Sequence, residues 1–449
     1  MNLKTSSNQS LYLLGDAGAI SPVFKRYRRL MEAFADQGAF ISLEENSEWL
    51  ACYEQDSQPI HARLPLLAFR PASCSVISPF VKACAQAGIP LKVRCGGTSL
   101  NGSSVSAPEG ILILTNHLKQ ILFYDKETGC VQAEPGVTPR QLNLAIEEDG
   151  WSFPLEIATG GVAGLAGCLS CSARNAYRGQ RAISQSIRSA TLIDGQGEQI
   201  EVPSPLICGA EGLFGIIIKM ELLLTHKPAK RLHLICRIDW ENLFAHFSRL
   251  RKYQALTGII WQENAFKMII EGDAWRVQQT AESLLNLFGS QIELEGGRPL
   301  PFSFPQSLPP AFIYLSSAMS SAHLPEGIEI FKRYAQDNEL SCQLWSDVLS
   351  GVLYMSISSN EETYAFAKKL ERLLVQWVDW LDRMQGGMIS AYGIGKLMQP
   401  YLTPFWEEES LRFLKGLQRA FDPFELFVKD HVFPVAGKSL EKVLYGQME

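Results

Sequence analysis

The stretch "IPLKVRCGGTSLNGSS", residues 89–104, runs a short apolar strand straight into a loop holding Gly96, Gly97 and Gly102 among Thr98, Ser99, Ser103 and Ser104. Backbone this bare has to come close to something. Glycine allows positive φ and close approach, and consecutive N–H groups in such a turn form a concave nest for an anion. Two readings follow from the segment alone: a phosphate or pyrophosphate cradle, or a plain glycine turn. No Gly-Lys-Ser/Thr follows, which excludes a Walker loop.

The neighbouring elements set the context. Phe24, Tyr27, Leu30, Met31 and Phe34 recur at helical spacing and predict a helix over 22–37. "LLAFRPAS" reads as a strand, and "CSVISPFVKACAQAG" as a helix stopped by Gly88. Further on, Thr138 is an N-cap with Pro139 in the first helical turn and Gly150 after the last. "SIRSATLIDGQGEQIEV" is a hairpin turning at 194–197, and "GIIIKMELLL" is a strand. From about Arg231 the order becomes β-α-β-β-α-β, that of an open-faced α+β unit. Phe366, Leu370, Leu373, Leu374, Trp377, Leu381 and Met384 share one helical face and predict core packing. No internal repeat is visible on reading through the chain.

A chain of 449 residues has room for two or three cores. Its 46% hydrophobic and 20% charged residues are those of a globular protein. A net charge of −6 without a basic run excludes a nucleic-acid footprint. Ten scattered cysteines, with only Cys168 and Cys171 closely spaced, give no metal-site pattern and read as reduced thiols of a cytoplasmic protein. Association with the periphery of the inner membrane is the variant of that reading. "TGGVAGLAG", residues 159–167, has GxxGxxG spacing, no clean strand before it and no acidic residue about 20 positions on, so it is a poor Rossmann fingerprint.

The order of segments is more specific than any one of them. "RPAS", "VRCGGTSLNGSS", "ILILTNHLKQI", "VQAEPGVTPRQL", "GLAGCLSCSA" and "LICGAEGLFGIIIKMELLL" follow one another, and "GIGK" and "FDPFELFVKDHVFP" come near the end. This resembles the vanillyl-alcohol oxidase and p-cresol methylhydroxylase superfamily, and within it the flavin subunits of D-lactate, glycolate and D-2-hydroxyglutarate dehydrogenases. The resemblance implies an α+β fold: a PCMH-type FAD-binding domain with an α+β, ferredoxin-like cap. The division expected is an N-terminal segment at 1–60, the FAD domain at 61–228, a cap at 229–395, and a segment at 396–449 that returns to the FAD domain.

It also implies FAD, bound non-covalently, with the loop at 94–99 around the pyrophosphate. The cofactor-binding residues by this likeness are Arg94, Cys95, Gly96, Gly97, Thr98, Ser99, Gly164, Gly167, Cys168, Ser172, Glu211, Gly212, Gly215, Ile216 and Ile217. Cys95 stands where the family has glycine, so ordinary dihedrals are expected there. Arg174 and Asn175 stand where the family continues with Gly-Gly.

The family's histidine pair for a metal is absent, and Ala391 and Tyr392 replace its usual Glu-His. No metal is therefore expected, and a metal-dependent hydrolase is disfavoured. Tyr392 is the candidate catalytic residue, its phenol tuned by a cation such as Lys396; packing against the flavin edge is the other reading of Tyr392. The implied activity is oxidation of the CH–OH group of a small 2-hydroxy acid or alcohol by hydride transfer to flavin N5. The alternative is a non-catalytic FAD-binding subunit of a hydroxy-acid dehydrogenase complex. The implied partners are a small-molecule substrate, an electron-acceptor protein or quinone, and a companion subunit.

Overall fold

The computed structural model describes residues 22–43, 47–56, 64–105, 110–174, 183–295, 311–361, 363–388, 393–427, 432–434 and 440. The strand before the glycine loop, Leu91–Arg94, ends a four-stranded sheet in the order Gly38–Ser42, Leu67–Pro71, Ile111–Leu114, Leu91–Arg94. The last three are parallel to one another. Their near-continuous apolar character is that of strands buried on both faces, and Phe69, Leu91 and Ile111–Ile113 are fully buried. The helix expected over 22–37 ends at Ala33, and a single 3-10 turn takes Ala35–Gln37. Helix Ile77–Ala87 stops at Gly88, whose φ of 62° is the left-handed conformation glycine adopts freely.

The tail locks onto this sheet. Leu91 N–H donates to Leu426 O at 2.8 Å, and Phe427 bridges Leu91 in parallel. Asp422, buried, accepts from the backbone N–H groups of Leu426 and Phe427, both at 2.8 Å.

A five-stranded antiparallel sheet follows, ordered Ile121–Asp125, Cys130–Ala133, Ile216–Leu223, Ile187–Ile193, Gln199–Pro203. Its expected hairpin is closed by Asp194, which accepts from Gln196 and Glu198 N–H at 2.9 and 2.8 Å, and by Gly197 at φ 75°. Helix Pro139–Ile146 is capped as expected, with Gln141 N–H donating to Thr138 Oγ1 at 3.2 Å.

The third sheet has seven strands, all antiparallel: Ile292–Leu294, Lys230–Cys236, Ala265–Gly272, Leu256–Gln262, Ser341–Asp347, Val352–Ser359, Ala311–Ala318. The expected β-α-β-β-α-β unit is there over 230–294, but it is only half of the sheet. A second β-α-β-β-α run, over 311–383, joins it where Ile260–Gln262 pair with Trp345–Asp347. The chain thus repeats a structural unit whose sequence similarity is too weak to see by reading.

Four helices, Trp240–Leu250, Ala274–Phe288, Leu324–Asp337 and Thr363–Arg383, cover one face of this sheet. Phe366, Leu370, Leu373, Leu374, Trp377 and Leu381 bury as predicted, with Met384 packed alongside. Each fully buried leucine there contributes roughly 1.5–3 kcal/mol. Among the described residues, the opposite face carries no helix. Tyr314, Trp345, Val352 and Tyr354 are nonetheless buried on it, with Leu100 of the glycine loop packed against them. No helix of the described residues is long and apolar enough to cross a membrane.

Candidate functional site

A cavity of about 420 Å³ lies between the glycine loop, the segment 157–174, residues 211–217 and the helix-free face of the seven-stranded sheet. That is the size of a ligand pocket, commonly roughly 300–1,000 Å³.

The loop wall is built by close approach. Gly97 has φ 65°, and a Cβ there would lie 2.5 Å from the Arg94 guanidinium, so Arg94 folds beneath the loop. Arg94 is buried, stacks 5.6 Å from the Tyr53 ring and donates to Ser104 O at 3.4 Å. Burial pulls its pKa down, and neighbouring Asp56 and Tyr53 oppose that. A Cβ on Gly96 would lie 2.5 Å from Val162 O. Cys95 has no positive φ, in line with the expectation for it. Ser99 Oγ organises the far side of the loop, accepting from Asn101 N–H and Ser103 N–H at 3.3 Å each and from Ser103 Oγ at 2.7 Å.

Of the fifteen residues expected to bind cofactor, Cys95, Gly96, Gly97, Thr98, Ser99, Gly164, Gly167, Cys168, Glu211, Gly212, Gly215 and Ile217 line the cavity. Arg94, Ser172 and Ile216 do not. Arg94 supports the loop from below. Ile216 is fully buried in the core under the four-stranded sheet, because alternation along its strand sends it and Ile217 to opposite faces. Ser172, at φ 52°, lies beside Gly209.

Glu211 reaches out of the wall. It is buried, at φ 49°, and accepts from the backbone N–H groups of Ile394 and Gly395. Burial pushes its pKa up, and nearby Lys92 pulls the other way. Asn101 Nδ2 donates to Gly393 O, and Leu397 N–H to Asn101 O at 3.2 Å. "GIGK" is therefore clamped to the cavity wall between Glu211 and Asn101. Tyr392, just before it, lies outside the described residues, as do Ala391 and Asn175.

The sheet side supplies residues that sequence reasoning missed: Ile260, Phe312, Tyr314, Trp345, Asp347 and Tyr354. The available signal was a period of 2, with Phe312/Tyr314, Trp345/Asp347 and Val352/Tyr354 each two apart on paired strands. Asp347 is almost fully buried, and burial lifts its pKa to about 6 while Ser350, Leu349 N–H and Arg174 oppose the rise. Burial pushes Tyr354 up as well, so its phenol stays protonated. Arg174 is the one Lys or Arg among the described residues lining the cavity. Its Nε is sealed from solvent with no hydrogen-bond partner, and it forms no ion pair among the described residues.

Three observations test the fit to a dinucleotide. The backbone N–H groups of Gly97, Thr98 and Ser99, on a half-buried loop that lines the cavity, donate to no acceptor among the described residues and are open to a ligand's oxygens. Ser104 Oγ, also in the cavity wall, is buried and without a partner. A Cβ on Gly212 would meet nothing within 4 Å, so the wall is open there. The residues fit.

Comparison with known proteins agrees with this geometry. Residues 65–203 match the FAD binding domain, and residues 310–428 match the C-terminal domain of FAD linked oxidases. Glycolate oxidase subunit GlcD of Bacillus subtilis (strain 168) is 22% identical over 430 residues, 83% of this chain and 89% of that one. D-lactate dehydrogenase of Anaerostipes hadrus is 27% identical over 215 residues, 42% of each chain. The solved structure of p-cresol methylhydroxylase with substrate bound superimposes with a TM-score of 0.74 at 13% identity, covering 91% of this chain and 96% of that one, which is a likeness of fold. An FAD domain over the glycine cradle and an oxidase C-terminal domain over the aromatic sheet account for both walls of the cavity: the chain belongs to the FAD-linked oxidases and dehydrogenases.

Proposed function

We propose that the chain oxidises the CH–OH group of a 2-hydroxy acid, and the observation that carries this is Arg174. Arg174 is a cavity-lining guanidinium whose Nε is sealed with no hydrogen-bond partner; its charge already acts on Asp347, and its planar fork suits a substrate carboxylate. Two curated relatives, a glycolate oxidase subunit and a D-lactate dehydrogenase, are named for hydroxy acids, which supports the same reading.

Bound non-covalently in the cradle of residues 94–99 and 164–168, FAD would supply the acceptor for the hydride and its two electrons. The chain does the rest. Arg174 holds the carboxylate and so fixes the carbinol carbon. Asp347 accepts the hydroxyl proton as the C–H bond breaks, leaving a 2-oxo acid. Ser350 and Leu349 N–H orient its carboxylate, and its raised pKa brings its basicity closer to that of a working general base. Tyr354, kept protonated, can donate to the substrate oxygen. We take the sheet with its helices, about 229–395, as the cap over the FAD domain at 61–228.

The test is anaerobic mixing of the purified flavoprotein with D- and L-2-hydroxy acids of varied side chain. Bleaching of the flavin band by any of them is expected. An inert flavin that dithionite still reduces would move the chain to the alternative, a flavin-holding subunit without turnover.

A pair of variants assigns the base. Asp347→Asn should slow flavin reduction by about 10²–10⁴-fold. In the parent protein the carboxyl is protonated, and so unable to accept, below about pH 6; the rate should climb through that pH and level off above it, and the variant should lose this limb. Glu211, facing the same cavity, is the other raised carboxyl, while burial holds Tyr354 protonated across this range; the remaining charged group of the wall is Arg174. Tyr392→Phe is the control: a comparable loss there, with Asp347→Asn unimpaired, returns the acid/base role to Tyr392.

A further inference from the structure

We infer that the hydroxy acid oxidised here carries an aromatic side chain, held on the helix-free face of the seven-stranded sheet. This rests on the hydroxy-acid reading and deepens it. Alternation along three paired strands puts Phe312, Tyr314, Trp345 and Tyr354 on one face, opposite the face that the four helices cover. Trp345 and Tyr354 lie parallel, 5.5 Å apart with 2° between their planes. Phe312 and Tyr314 meet edge-on at 5.9 Å. Ile260 lines the same wall, and Leu100 packs on the cluster from the glycine loop.

Among the described residues no helix lies over the rings, yet they are buried: Tyr314, Trp345 and Tyr354 are 4%, 5% and 7% exposed. They form part of the cavity wall. The polar groups sit at the edge of this patch. Asp347 is two residues from Trp345 on the same strand and face, and pairs with Val352 and Ile260 on either side. A substrate whose carbinol lies at Asp347 and whose carboxylate lies at Arg174 therefore presents its side chain to the rings. A methyl or hydrogen there touches little. A phenyl ring gains apolar burial and ring–ring contact. A second carboxylate would be set among aromatic rings, with Arg174 already engaged and no further Lys or Arg among the described lining residues, an unpaired buried charge of the costly kind.

The experiment compares anaerobic flavin reduction by both enantiomers of 3-phenyllactate, lactate and 2-hydroxyglutarate, and by 2-phenylethanol, which keeps the ring and hydroxyl but lacks the carboxylate. Expected is a kcat/KM for one phenyllactate enantiomer about 10²-fold or more above lactate, from the burial of a phenyl side chain and its aromatic contacts. Trp345→Leu, checked for flavin content and melting temperature, should shrink that ratio by roughly tenfold. Lactate or hydroxyglutarate matching phenyllactate, or a ratio unmoved in Trp345→Leu, overturns the aromatic pocket while leaving the hydroxy-acid reading in place. Faster reduction by 2-phenylethanol than by phenyllactate removes the carboxylate anchor, and no reduction by any of the acids removes the hydroxy-acid reading and this inference with it.

Discussion

Gly97→Asp is expected to purify folded and colourless, without FAD. Position 97 sits in the middle of a cradle whose N–H groups at 97–99 find no acceptor among the described residues. An L side chain at φ 65° costs roughly 1–2 kcal/mol, and its Cβ would collide with the Arg94 guanidinium. A carboxylate on this loop adds repulsion against a phosphate of about 4 kcal/mol at 4 Å for a surface-like dielectric, near a thousandfold in affinity. Gly97→Ala has the strain and the collision without the charge, and should retain weak, saturable FAD uptake. Absorbance of the purified proteins and titration with FAD check both; a yellow, fully loaded Gly97→Asp would overturn the assignment of the loop.

Arg174→Leu should leave flavin content intact and cut kcat/KM for 2-hydroxy acids by roughly 10²–10³-fold. Truncating one partner of a buried charge pair commonly costs about 2–5 kcal/mol, since the substrate carboxylate then enters the cavity with no counter-charge. Arg174→Lys should recover part of the loss, because an ammonium keeps the charge and gives up the bidentate fork. The loss should fall mainly on KM if the carboxylate is held equally in ground and transition states. Reduction of an alcohol with no carboxylate distinguishes anchoring from general damage: it should be far less affected. Equal losses on both substrates would reassign Arg174 to shaping the flavin site.

The strand, the glycine loop and the caps were legible in the sequence because each depends on residues near one another in the chain. Thr138 finds the Gln141 amide three residues on, Asp194 finds Glu198, and Gly88 stops its own helix. Most of the glycine-rich cavity wall was legible for a related reason, since glycines mark places where backbone must come close whatever packs opposite. Side-chain direction at the edges of these motifs was harder to read: Ile216 and Ile217 differ only in which face of a strand each occupies.

The substrate side was not legible, because no local signal marks it. Arg174 stood out only as a departure from the family's Gly-Gly, with no role attached, and Asp347 and Tyr354 are ordinary residues in their own segments; the pairing of Leu256–Gln262 with Ser341–Asp347, far apart in sequence, carries the aromatic strands across the cavity from the glycine loop. By itself, then, the sequence determined where backbone is bare enough to receive a dinucleotide. The tertiary structure alone decided which charges and rings face that place, since burial and an unpaired Nε are properties of a packed cavity and not of any stretch of chain.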